Sequence, residues 1–428
     1  MNSKRFDRFK RVSLLCLGLF TSSPIVHADD WPSWRGPQNN GQSTESIAEL
    51  PSSPKVLWKT KLGAGLSSPV AANGKVVIMD AANGKEVVHL INAANAEEVW
   101  MAEIDEVFSD SQGPSGPRNT PIIDGDYVYA VSCRGQLVCL SLENGFPVWD
   151  VNYVTDLGAK FIGEKGSAEG ASRHGNDGSP LVDGPHIIVP VGGLEAHSVV
   201  CFDKLTGTVV WHSQDDVAGY GSPVVATIAG VKQVIVFTAE ATIGLRRDNG
   251  ELLWRIPMKT GFGRHVLTPV VWNDIVVVGS HELGMTGIQV SPDGDGGVKA
   301  EEIWVNKDAA PNFADPVNVG QYLFSLGPKK NVQCIDLKTG KIQWDKTGLI
   351  VTSANKAYSG FIVTGENILQ LTDAGELILF EANPKEFKQI SRTQVSGMNW
   401  CNPALSNGVL YLRDGLKNSG DFYAIKVK

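Results

Sequence analysis

Cysteine is scarce in this 428-residue chain: there are six, no two adjacent, and none in C-x-x-C-H, zinc-ligand or disulfide-framework spacing. An attached c-type haem and a structural zinc site are excluded on that ground. The signatures H-E-x-x-H, G-x-S-x-G and the P-loop are also missing, and His281-Glu282 lacks the second histidine of a zinc motif. Helical periodicity is hard to find anywhere. No run after residue 28 approaches the ~20 apolar residues of a membrane helix. There is no basic block either: 38 Lys and Arg stand against 46 Asp and Glu, for a formal net charge of −8. Nucleic acid is therefore a poor candidate partner.

The N-terminus has a distinct pattern. Lys4, Arg5, Arg8, Lys10 and Arg11 precede the apolar run Val12–Phe20, and Val26-His27-Ala28 is a small-x-small cleavage site. Residues 1–28 read as a secretory signal peptide. Its removal takes away five basic residues and Asp7, leaving a formal charge of about −12. Leu15 stands where a lipidation motif needs a small residue before Cys16. The mature chain is expected to be exported, periplasmic or secreted, and monomeric. Cys133, Cys139, Cys201, Cys334 and Cys401 read as small apolar core residues.

What the chain has in abundance is repetition. "CIDLKTGKIQW", ending at Trp344, echoes "CFDKLTGTVVW" at Trp211, "LRRDNGELLW" at Trp254 and "LSLENGFPVW" at Trp149. With Trp58, Trp100 and Trp304, these tryptophans recur every ~40 to 60 residues, near the period of a four-stranded propeller blade. Each unit opens on a pair such as Ser68-Pro69, Thr120-Pro121, Ser179-Pro180, Ser222-Pro223 or Thr268-Pro269, with Asp315-Pro316 and Asn402-Pro403 as variants. An Asn-Gly or Asp-Gly hairpin turn follows in several units, then strands dense in Val, Ile and Tyr. A seventh unit, residues 355–391, has lost its Trp. An eighth, residues 402–427, runs out of chain after three strands, while "PKVLWKTKL" (Pro54–Leu62) is a Trp strand with no blade before it. Pairing the two removes the open sheet edges. The expectation is all-β: an eight-bladed propeller of four-stranded antiparallel blades over 54–428, closed by the N-terminal strand, with 29–53 as an extension. The repeated Trp reads as an apolar wedge between blades, and "WPSWRGP" (Trp31–Pro37) as a tail pinned across one face of the ring.

The unit A-x-D-x-x-x-G-K-x-x-W is the tryptophan-docking repeat of pyrroloquinoline-quinone (PQQ) propellers. The chain resembles that family over nearly all of residues 51–428, with Cys for Ala in "CIDLKTGKIQW" and a further Thr for Lys in "CFDKLTGTVVW". The family contains both quinoprotein alcohol dehydrogenases and non-catalytic binding propellers of the BamB type, so the resemblance implies the fold and leaves the function open.

Loops leading into the innermost strands are where a propeller carries chemistry. Four of them bring Arg118 and Asn119; Arg173, His174, Asn176 and Asp177; Arg264 and His265; and Asn399 and Trp400. Convergent Arg and His suit an anionic ligand; the competing reading is that these groups cap strand ends. Arg173-His174, in the longest loop, is the foremost candidate. The resembling dehydrogenases sandwich the quinone between an adjacent Cys-Cys disulfide and a Trp platform, use Ca²⁺ and need a carboxylate base. This chain has no Cys-Cys pair. Glu169, Asn176 and Asp177 offer oxygen ligands at ordinary spacing, and "SPDGDGGVKAEE" (Ser291–Glu302) departs from the EF-hand pattern. The expectation is a non-catalytic scaffold in the cell envelope, with no cofactor and no metal, that binds another envelope or secreted protein or a small anionic ligand. Alternatives are a PQQ- and calcium-dependent dehydrogenase of alcohols or sugars, and a carbohydrate- or small-anion-binding propeller.

Overall fold

The computed structural model describes residues 30–110, 113–159, 174–294, 296–311, 313–352, 357–415 and 419–428. The signal-peptide segment, Glu169 and Arg173 lie outside these. Eight antiparallel sheets form the ring. Blades 1 to 7 span residues 70–106, 122–152, 181–213, 224–257, 270–306, 317–346 and 359–394. Blade 8 takes three strands from residues 404–426 and its outermost strand, Lys55–Gly63, from the other end of the propeller.

Burial follows strand position. In the second strand of blade 5, Ile275–Ser280, all six residues are buried. The second strand of blade 1, Lys75–Ala82, is buried through five successive positions. A strand in the middle of a blade is covered on both faces by the neighbouring blades, so it reads as a continuous apolar run. The outermost strands instead alternate, as in Val209–Ser213 with Trp211 inward. The core is accordingly a series of layers between blades: one cluster joins Ile122, Tyr129 and Cys139 of blade 2 to Ile187 and Phe202 of blade 3. All five described cysteines are buried free thiols.

The recurrent Trp docks onto the next blade. Trp100, Trp149, Trp211, Trp304 and Trp344 each donate their indole N–H to a backbone carbonyl in the turn between the third and fourth strands of the following blade, at 2.8 to 3.0 Å. Trp58 does the same from blade 8 to Ala93 of blade 1 at 2.8 Å. The repeated Gly lies under the ring: a Cβ on Gly145, Gly207, Gly250 or Gly340 would sit 2.5 to 2.7 Å from the preceding blade's Trp. These glycines also hold positive φ, from 68° to 73°, which L side chains adopt at a cost. Trp254 is the exception, and the cause is local. Blade 5 carries its turn at the end of longer strands, Gly284–Pro292 and Val298–Asn306, and the Trp254 N–H turns back to Gln233 Oε1 of its own blade at 2.6 Å.

The paired residues at the start of the innermost strands have a second use. Thr120 N donates to Ser179 Oγ, Ser179 N to Ser222 Oγ, Thr268 N to Asp315 Oδ1 and Asn402 N to Ser68 Oγ, at 2.6 to 3.0 Å. Each bond crosses from one blade to the next, forming a collar around the channel.

The N-terminal segment runs through the ring. Trp31 exchanges both backbone hydrogen bonds with Ala71, using the axial edge of the innermost strand of blade 1, and Pro32 O accepts from Ile123 of blade 2. Trp34 Nε1 then reaches Thr268 Oγ1 at 3.0 Å, and the buried Arg35 donates to Pro316 O. Gln42–Ser43 adds a parallel strand to the innermost strand of blade 7. Blades 1 and 5 are opposite in a ring of eight, so the segment crosses the axis inside the channel.

Arg413 locks the seam. It is 1% exposed and donates to Gly63 O of the closing strand at 2.8 Å and Met79 O of blade 1 at 3.3 Å. Replacing it leaves two buried carbonyls short of a donor. Arg413→Met is expected to cost about 3–5 kcal/mol, read as a lower thermal midpoint and early proteolysis within Lys55–Gly63; the exposed-rim change Lys61→Gln is the control, with little effect. Trp211→Ala is expected to cost about 3–5 kcal/mol, and Gly250→Ala, which forces a methyl into the same indole, should lower the thermal midpoint too.

Candidate functional site

Loops joining successive blades converge at one end of the channel around a cavity of about 390 Å³. Its lining includes Trp34 from the crossing segment and the collar residues Ser68, Ser179, Ser222 and Thr268. Trp34 is tied to the collar through Thr268.

Of the residues singled out from the sequence, Arg118, His174, Asp177, Arg264 and Trp400 line the cavity. The other described candidates do not. Asn119 Nδ2 donates to Asn176 O, Asn176 Nδ2 to Cys133 O and Asn399 Nδ2 to Thr372 O, at 3.0 to 3.1 Å. These three amides satisfy buried carbonyls, as the strand-capping alternative holds. His265 is fully buried and stacks on Phe237 with ring centroids 4.2 Å apart. Burial pushes its pKa down to about 4, so it is a neutral core residue.

The cavity has two unlike halves. On one, Arg118 is bound by Asp110 at 3.0 Å and by the His174 carbonyl at 2.7 Å, and it lies over the Phe108 ring. His174 Nδ1 also meets Asp110, at 3.0 Å, and its ring leans on Tyr220. Burial raises the Asp177 carboxyl to about 7, opposed by nearby Arg118 and reinforced by Asp110 and Glu86. Glu86, buried between blades 1 and 2, is pushed up to about 7 by the same desolvation.

The other half is aromatic. Trp400 stacks on Phe313 with centroids 5.9 Å apart, and the Arg264 guanidinium lies 6.0 Å from the Phe313 centroid. Arg264 makes no ion pair among the described residues, unlike Arg118. Four buried polar atoms of the lining residues have no hydrogen-bond partner among the described residues: Trp400 Nε1 and the Tyr358 hydroxyl on this half, and Asp177 Oδ1 and Arg118 Nε on the other. Buried polar atoms without partners are uncommon and mark places where a ligand can complete the bonding. Asp315 does not share that freedom: Thr268 holds it, and it faces the buried Arg35.

Sequence reasoning missed Trp34, Tyr220, Phe313 and Tyr358. Phe313 and Tyr358 sit in loops without the Arg or His that drew attention elsewhere. Trp34 belongs to the extension, whose path through the channel no local pattern specifies.

No group of three His, Cys, Asp or Glu side chains that could hold a metal ion occurs among the described residues, and of the two cavity carboxylates Asp315 is held by Thr268.

Asp177 gives a pH prediction. Its native pKa lies above the unfolded value, so the native state holds a proton that the unfolded chain releases. Its contribution is thus fully present below about pH 4 and is lost as pH rises toward 7. Asp177→Asn is expected to flatten that slope and raise the thermal midpoint relative to wild type at pH 8.

Comparison with known proteins agrees with this architecture. A family model described as outer membrane protein assembly factor BamB matches residues 42–156 and 84–346. The BamB of Yersinia pestis is 24% identical over 233 residues, covering 53% of this chain and 52% of that protein, so the chain spans about half the length of this relative. Among solved structures, the quinohemoprotein alcohol dehydrogenase ADHIIG of Pseudomonas putida HK5 superposes with a TM-score of 0.64 at 11% identity, covering 94% of this chain and 80% of that one. The C-terminal WD40 domain of Sif2 gives 0.53 at 11% identity, covering 88% and 98%. These structural likenesses show the propeller fold alone. With a family match over most of its length and the docking repeat on the page, the chain belongs to the PQQ-like repeat family of β-propellers described as outer membrane protein assembly factor BamB.

Proposed function

We propose that this protein is a non-catalytic binding propeller of the cell envelope and that it binds at the channel mouth. The observation that carries this reading is that Arg264, which makes no ion pair among the described residues, lines one aromatic-walled cavity with Tyr358 and Trp400, whose hydroxyl and indole N–H have no hydrogen-bond partner among those residues. Such a site suits recognition, and its described residues supply no donor set for metal-assisted oxidation. The signal-like N-terminus and the name of the Yersinia pestis relative support an envelope location. The partner class is another envelope or secreted protein.

The rival is a quinoprotein dehydrogenase, and one experiment separates them. Mature protein is titrated with PQQ, with and without Ca²⁺, while Trp fluorescence and dye-linked alcohol oxidation are followed. The expected result is no calcium-dependent saturation and no turnover. Saturable binding with turnover that needs both PQQ and Ca²⁺ would overturn the proposal. In parallel, crosslinked capture from envelope extracts is expected to recover a protein with wild type and to lose it with Trp400→Ala.

A further inference from the structure

Three of the four consecutive interblade loops from blade 4 round to blade 8 carry an exposed apolar side chain ahead of a residue that lines the cavity. The first carries Phe262, 46% exposed, beside Arg264. The second carries Phe313. The third carries Val351, 60% exposed, ahead of Tyr358, and the fourth carries Met398, 45% exposed, ahead of Trp400. Large apolar groups thus continue from the cavity wall onto loop positions open to solvent. The loops on the other side supply Asp110, Arg118, His174 and Asp177 instead.

A free small molecule that filled about 390 Å³ would have no use for Phe262, Val351 or Met398 outside the cavity. A chain that enters the cavity and runs out over the rim would bury all three. The cation in the cavity decides which end of a chain it would take. Among the described residues Arg264 has no carboxylate partner, and it is held against Phe313. The buried Tyr358 hydroxyl and Trp400 N–H add donors without a hydrogen-bond partner among the described residues. Three donors around a hydrophobic wall match a terminal carboxylate followed by apolar side chains. An N-terminal ammonium would instead face the guanidinium.

We infer that the channel mouth binds the free C-terminus of a partner polypeptide, with the terminal carboxylate at Arg264 and apolar residues of the tail over Phe262, Val351 and Met398. This rests on the channel mouth being the binding site, as proposed above. Burying such a tail supplies apolar contact, while the carboxylate sets its direction.

The test uses mature protein and an array of hexapeptides of varied sequence, each made with a free and with an amidated C-terminus. Free-ended peptides with apolar or aromatic last residues are expected to bind, and amidation should weaken them at least roughly tenfold, the range for a lost charged hydrogen bond. Arg264→Gln should abolish the difference between the two forms, and Arg264→Lys should restore part of it. Val351→Ser and Met398→Ser, at exposed positions that leave folding intact, should weaken both forms together. Equal binding of free and amidated peptides, or an Arg264→Gln variant that still discriminates, overturns the inference. If no peptide binds while envelope capture still depends on Trp400, the chain-end inference fails and the binding reading stands. If capture and peptides both fail while PQQ is turned over, both readings fall.

Discussion

Everything in this molecule depends on how one blade grips the next. A four-stranded sheet has two apolar faces and cannot bury either alone, so each blade is stable only between neighbours. The grip is concentrated in a single indole. Its ring lies on a glycine of the following blade, and its N–H ends on a carbonyl of the same turn. Burying such a ring supplies about 4–6 kcal/mol of hydrophobic free energy, and the hydrogen bond fixes the angle at which the blades meet. Repeated around a ring, a fixed angle becomes closure. Trp254 shows the dependence from the other side: where the hairpin it would dock on has longer strands, the indole finds Gln233 in its own blade.

Closure also has to be secured at the axis and at the seam. The Ser, Thr, Asp and Asn collar joins innermost strands across blades. The extension spans the channel from blades 1 and 2 to blades 5, 6 and 7, so it ties opposite sides of the ring. At the seam, Arg413 bridges the closing strand and blade 1, beside Asp80 and His89. Asp80 is kept below its usual range: burial works against this, but the hydrogen bond and charge of His89, the Gly63 N–H and the Arg413 charge together outweigh it. A buried polar network of this kind specifies one closed register.

The same scaffold makes the site. The ring delivers its interblade loops to one end of the channel, where the crossing segment contributes Trp34. What results is a cavity with an aromatic wall and a cation that makes no ion pair among the described residues, in a family that includes members with very different uses for the same fold.

Much of this could be read from the residues. The period of Trp, Gly and the Ser-Pro or Thr-Pro pairs carries the fold, because each is a local answer to a local need: an indole to dock, a positive φ, a strand start without an N–H. The orphan strand Pro54–Leu62 and the three-stranded end gave the closure, since an unpaired edge has to find a partner. The candidate site was half legible. Arg118, His174, Asp177, Arg264 and Trp400 do converge, but Asn119, Asn176, Asn399 and His265, their immediate neighbours in sequence, turn away to satisfy carbonyls or fill the core. Adjacent residues near a strand end point to different sides of the chain, and only the packing of two blades decides which side is cavity. Trp34 joins Phe313 and Tyr358 from hundreds of residues away in the chain. The sequence by itself determined the ring; which groups face its channel was settled by the tertiary structure, because that depends on how eight separate loops meet at one axis.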